Sequence, residues 1–141
     1  MAAKDIWINL PVKDVSKSKE FFTKLGFSFS TECGNGNDCA GLLVGSKKTV
    51  IMLFLESTFK KFIGSEIADT KLGTEVLFSF SAESKDEVDE MAKKVTDAGG
   101  TIFGKTSDIQ GWMYGFGFID PDGHRWNSLY MDMSKMPKGQ N

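Results

Sequence analysis

INLPVKDVSKSKEFFTKLGF, residues 8–27, packs a short alternating segment, a capping residue, an amphipathic run and a glycine stop into one stretch. Ile6, Ile8 and Leu10 alternate with Trp7 and Asn9, which predicts a strand over Asp5 to Leu10 with Trp7 and Asn9 on its second face. Pro11 has no amide hydrogen, so regular pairing is expected to end there. The Asp14 carboxylate can accept from the free amides of a following first turn. Val15, Phe21, Phe22 and Leu25 then give an apolar stripe, and Gly26 offers a left-handed stop. Downstream lie three more β-like segments, Phe27 to Glu32, Cys39 to Val44 and Thr49 to Leu55. They are divided by GNGND and GSKK, which carry the chemistry of tight reversals. The order is β-α-β-β-β.

The second half repeats it. In TEVLFSFSAESKDEVDEMAKKVTDAGG, residues 74–100, a strand is expected over Glu75 to Ser81. Val76, Phe78 and Phe80 share its helix-facing side, and Glu75, Leu77 and Ser79 the other. Ser84 and Glu87 have capping-box spacing. Val88, Met91, Ala92, Val95 and Ala98 recur at helical spacing before Gly99-Gly100. Strands follow over Thr101 to Thr106, Met113 to Ile119 and His124 to Met131, with Asp120-Pro121-Asp122-Gly123 suited to a type I turn. Gly26 and Gly99 mark the same point in two copies. The expected class is α+β, with two βαβββ modules forming a paired, curved mixed β-sheet around a central cleft. Residues 1–141 form one domain in this reading: a first module over 6–55, a connector over 56–73, a second module over 74–132 and a polar tail over 133–141.

At 141 residues with 40% hydrophobic and 26% charged content, the chain can bury one continuous core. A net charge of -2 gives no general attraction to nucleic acid or anionic lipid, so neither is an expected partner. Thr49 to Leu55 is too short to span a bilayer and MAAKDIW has no signal-peptide core, so a cytoplasmic location is expected. Cys33 and Cys39 are read as reduced thiols, with a loop-spanning bridge as the alternative. A zinc site would need more ligands than His124 adds.

The opening strand-helix segment, the central segment 74–100 and the closing FIDPDGHRWNSLYMD, residues 118–132, together resemble the vicinal oxygen chelate superfamily. That superfamily includes glyoxalase I, the bleomycin-resistance proteins and the extradiol dioxygenases. The chain is similar to a bacterial branch labelled predicted lactoylglutathione lyases, and the resemblance runs from Ile6 to Asp132. It implies a site where a divalent metal commonly binds two vicinal substrate oxygens, with ligands from the first and last strand of each half. It also implies a homodimer. On this sequence those four places fall at or near Trp7, Glu56, Glu75 and Asn127. An indole N–H cannot coordinate a cation, and a neutral amide oxygen supplies no charge. No cofactor is therefore expected, with a divalent metal as the alternative.

Glu75, on the strand side away from the helix, is the candidate catalytic base or ligand; an exposed strand-end carboxylate is the plain alternative. Glu56 is a ligand-binding candidate beside the plainer solvated acid at a helix start. In GWMYGFGF, residues 111–118, Trp112 and Tyr114 alternate with glycines that let rings line a cavity, although core packing would use the same residues. With Trp7, Asn9 and Asn127 they complete the expected ligand-binding set. His124 is read as a hairpin-end histidine, and Lys60-Lys61 as a solvated face. Two functions follow. One is a metal-free small-molecule-binding protein with an aromatic-lined cleft, catalysis left open. The other is a metal-dependent lyase or isomerase of glyoxalase I type using Glu75.

Overall fold

In the computed structural model, which describes residues 2–31 and 38–137, the Asp14 carboxylate accepts from the Lys17 amide at 3.1 Å and starts helix α1 (Val15–Lys24). Gly26, at φ 101, ends it. The Gly26 amide donates to the Thr23 carbonyl and the Phe27 amide to that of Phe22, each at 3.0 Å, so two terminal carbonyls are satisfied. The same stop recurs at helix α3 (Lys85–Asp97), where the amides of Gly99 and Gly100 donate to Thr96 and Val95. Ser84 caps α3 by accepting from the Glu87 amide, while the Glu87 carboxylate takes the amide of Glu83, one residue earlier than a standard capping box.

Contacts divide the chain after Gly73 into two units. The first holds strands β1 (Ile8–Val12), β2 (Ser28–Ser30), β3 (Cys39–Val44) and β4 (Thr49–Leu55) in the order β1-β4-β3-β2, with β1 parallel to β4 and the other pairs antiparallel. Helix α1 packs on one face over Leu10, Ala40, Leu42, Ile51 and Leu53, all buried with Phe21, Phe22 and Leu25. Helix α2 (Glu56–Ile63), in the segment read as a connector, packs on β1 and β4, with the Phe62 ring edge-on to Phe54 at 5.1 Å.

The second unit has β5 (Leu77–Ala82), β6 (Thr101–Ile109), β7 (Met113–Ile119) and β8 (Arg125–Met131) in the order β5-β8-β7-β6, with β5 parallel to β8. Its α3-facing core is aromatic: Trp126 lies between Phe78 and Phe118, with ring centroids 4.9 and 6.2 Å away. Both units are therefore βαβββ with one shared strand order, as the repeated pattern predicts. Among the described residues no helix is long and apolar enough to cross a membrane.

Several boundaries differ from expectation for identifiable reasons. Pro11 stays inside β1, paired with Phe54, because β1 is an edge strand with one neighbour and its missing amide hydrogen breaks no second ladder. Glu75 and Val76 lie outside β5, which begins at Leu77 opposite Arg125. β6 runs past Thr106 to Ile109, since register shifts on either side of Gly104 let it bend and continue. The Phe27 to Glu32 strand is seen as Ser28–Ser30; Glu32 lies outside the described residues, as does Cys33. Cys39 is disulfide-bonded, against the expectation of reduced thiols.

Candidate functional site

Side chains directly paired across a sheet point to one face, so each register defines which residues share the side away from the core. In the first unit the row Asn9, Met52, Gly41, Ser30 crosses β1, β4, β3 and β2, next to the buried row of Leu10, Leu53 and Ala40. In the second the corresponding row is Ser79, Asn127, Gly117, Gly104. By register Met52 and Asn127 occupy equivalent places on the last strands, and Asn9 and Ser79 on the first.

Three residues of each row line a hollow, Met52, Gly41 and Ser30 in the first unit and Asn127, Gly117 and Gly104 in the second, whereas Asn9 and Ser79 are not among the lining residues. The hollow of the first unit encloses about 740 Å³, within the roughly 300–1,000 Å³ of small-molecule sites. Its walls include Trp7, Ser30, Gly41, Met52 and Phe54, and its rim Asp5, Lys47 and Lys48. Trp7 is 57% exposed just ahead of β1. The hollow of the second unit is smaller, about 200 Å³, lined by Leu77, Phe103, Gly104, Lys105, Ser107, Gly117, Asn127 and Leu129. Phe103 lies across Gly117, where an added Cβ would come 2.4 Å from its Cζ. The Arg125 guanidinium lies over the Phe103 ring, 4.5 Å from its centroid, a cation–π contact.

Asn127 Oδ1 is buried at the floor of this smaller hollow and has no hydrogen-bond partner among the described residues. An unpaired buried amide oxygen costs about 1–3 kcal/mol, which a ligand N–H or O–H would recover.

The other expected residues are dispersed. Asn9 is exposed on β1 in the first row. Glu56 opens α2, four residues beyond Met52 and past the end of β4. Glu75 sits in an exposed bend two residues ahead of β5, and Leu77 takes the place in the hollow that strand alternation had pointed to. Tyr114 faces α3, its hydroxyl donating to Asp89 Oδ1 at 2.6 Å with the Lys85 ammonium over the ring at 5.5 Å, so it does not join the hollow. Trp112 precedes β7 in the turn after Gln110 and Gly111, both at positive φ, and its Nε1 is buried without a partner. It is not among the residues lining either hollow.

Asp120 is marked by the sequence pattern only as a turn residue. It is buried, its Oδ1 accepting from the amides of Asp122 and His124 and its Oδ2 from Trp126 Nε1 at 3.1 Å. Burial pushes its carboxyl above the usual 3.8, against the opposing pull of His124 and of these donors. The signal was present in DPDGHRW, where an aspartate opening a turn can bond backbone amides two residues on.

A divalent metal does not fit these residues. Among the described residues no group of three or more His, Cys, Asp or Glu side chains could hold an ion. The equivalent last-strand places carry a thioether, Met52, which suits only soft metals, and a neutral amide, Asn127, which brings no charge.

A family model described as the Glyoxalase/Bleomycin resistance protein/Dioxygenase superfamily matches residues 6–127. Among solved structures the chain is similar to a hypothetical protein from S. aureus, at 29% identity and a TM-score of 0.82, covering 92% of this chain and 95% of that one. A glyoxalase/bleomycin resistance protein/dioxygenase family enzyme from Burkholderia phytofirmans PsJN is 19% identical with a TM-score of 0.74, covering 89% and 96%. A lactoylglutathione lyase from Agrobacterium tumefaciens is 15% identical with a TM-score of 0.65, covering 96% and 100%. At such identities these last two likenesses concern the fold. No curated protein matches the chain.

Proposed function

Because the chain belongs to the Glyoxalase/Bleomycin resistance protein/Dioxygenase superfamily, we propose that it binds a small organic molecule on the faces of its sheets without a metal. The observation that carries this reading is Asn127 Oδ1, a buried acceptor left unpaired at the floor of a hollow. An amide oxygen is a weak, uncharged metal ligand, whereas it suits a hydrogen bond from the ligand itself. Leu77, Phe103 and Leu129 around it supply apolar contact, and Trp7, Met52 and Phe54 do the same in the first unit. Glu75, exposed ahead of β5, has no role in the binding reading.

The test is metal content and metal response. Protein purified without chelator should carry no stoichiometric divalent ion, and added Ni²⁺ or Zn²⁺ should leave its melting temperature unchanged. A stoichiometric ion, or a melting temperature that climbs with metal concentration, would overturn the metal-free reading and favour the metal-dependent lyase or isomerase.

A further inference from the structure

We propose that the hollow of the first unit takes a ligand with a flat apolar body and an anionic end, a carboxylate or a phosphate, which Lys47 and Lys48 receive. This rests on the small-molecule reading above and names the class of molecule.

The wall is graded along one strand. Met52 and Phe54 lie toward the end of β4, while Thr49 and the lysines lie at its start, in and beside the turn from β3. Thr49 to Phe54 spans about 17 Å at roughly 3.4 Å per residue, more than enough to lay a two-ring aromatic and its anionic substituent along the strand. The apolar end is fixed in place, since Phe54 packs edge-on against Phe62 of α2 at 5.1 Å. Trp7 adds an indole exposed in the unliganded chain, the kind of surface that gains most when a ring covers it.

The turn end is cationic. Asp5 is the one carboxylate among the residues lining this hollow, and among the described residues neither Lys47 nor Lys48 has an ion-pair partner. Lys48 stands at φ 52, a conformation that glycine or asparagine adopts more cheaply. The turn geometry alone therefore does not call for lysine there. With a net charge of -2 over the whole chain, this positive patch is local, which favours a small anion over a polyanion.

The experiment uses the full chain, labelled with ¹⁵N, and follows the indole signals of its three tryptophans, assigned by substitution. The probes share one ring system: 2-naphthoate, 2-naphthyl phosphate and neutral 2-naphthalenemethanol. At least one acid should move the Trp7 indole signal saturably and bind about fivefold or more tighter than the alcohol, as two partly exposed charge contacts would give. Which acid binds tighter identifies carboxylate or phosphate as the anion. The variant K47Q/K48N, whose asparagine tolerates the positive φ, should bring both acids down to the affinity of the alcohol and leave the alcohol unchanged. Should the alcohol match the acids, or the variant keep the wild-type affinity for them, the anionic assignment fails while the small-molecule reading stands. Probes that leave the Trp7 signal unmoved would overturn both for this unit.

Discussion

Replacing Asn127 with leucine should make the protein more stable and less able to bind. No group among the described residues donates to the amide oxygen, so its desolvation, about 1–3 kcal/mol, is not offset by a protein hydrogen bond. Leucine has nearly the same shape and no polar atom. Its neighbours across the row, Ser79 and Gly117, leave room on the floor, and Leu77 and Leu129 nearby are apolar. Removing the penalty should raise stability by about 1 kcal/mol, equivalent to roughly 2–8 °C in melting temperature for a chain of this size. Urea denaturation with an unchanged slope measures the first quantity. Affinity for a ligand that donates to Oδ1 should fall about three- to tenfold, the worth of one hydrogen bond. Ser128 provides the control, because its Oγ is also buried and unpaired but it pairs with Phe80 and Phe116 on the α3-facing side. S128A should gain stability and leave binding alone. If N127L instead loses more than about 1 kcal/mol, the oxygen has a partner in solution and the reasoning about a waiting acceptor is wrong.

At Gly115 a Cβ would sit 2.5 Å from the Ser128 carbonyl and from Leu129 Cδ2, so G115A should cost about 1–3 kcal/mol in urea denaturation. G117A should cost less, because its Cβ meets the far edge of the Phe103 ring, which can swing outward; equal losses would refute the distinction. Asp120 has its folded pKa raised above the unfolded 3.8, so the folded state binds more protons between those values and stability from this group grows as pH falls through that window. The stability gap between wild type and D120A, measured by denaturation from pH 7 down to 4, should therefore widen on acidification; a gap that narrows contradicts the raised pKa. Ser84→Ala should lower stability by about 0.5–2 kcal/mol through loss of the α3 cap, and Asp14→Ala by a similar amount through α1; an unchanged melting temperature in either would remove the cap from the account.

The fold could be read where a residue's local chemistry and its burial agree. Asp14 and Ser84 cap, Gly26 and Gly99 stop, and Phe22, Leu25, Val88 and Val95 are buried where the helical period puts them. Reading failed where one more neighbour or one more residue of strand changes the answer. Alternation extended backward from Phe78 points Glu75 away from the helix, but alternation fixes side-chain direction only within paired backbone, and pairing starts at Leu77. Tyr114 looked like a cavity residue because glycines flank it on β7. Those glycines serve the opposite face, where Gly115 and Gly117 make room for Leu129 and Phe103, and the alternate position of Tyr114 turns it toward Asp89.

The same geometry explains why a duplicated fold need not carry a duplicated site. Residues facing α1 and α3 must fill a closed volume, so both units keep large apolar groups there and one strand order. The rows away from those helices have no such constraint. Register sets Met52 opposite Asn9 and Gly41 in one unit, and Asn127 opposite Ser79 and Gly117 in the other: a thioether answers an amide at equivalent places. A cation needs several ligand atoms converging at once, which a thioether and a neutral amide do not supply well. A hydrogen bond or a stacked ring needs only one partner at a time, so each face can specialise separately. The first unit accordingly offers Trp7 and paired lysines around a wide hollow, and the second a single buried acceptor beneath Phe103.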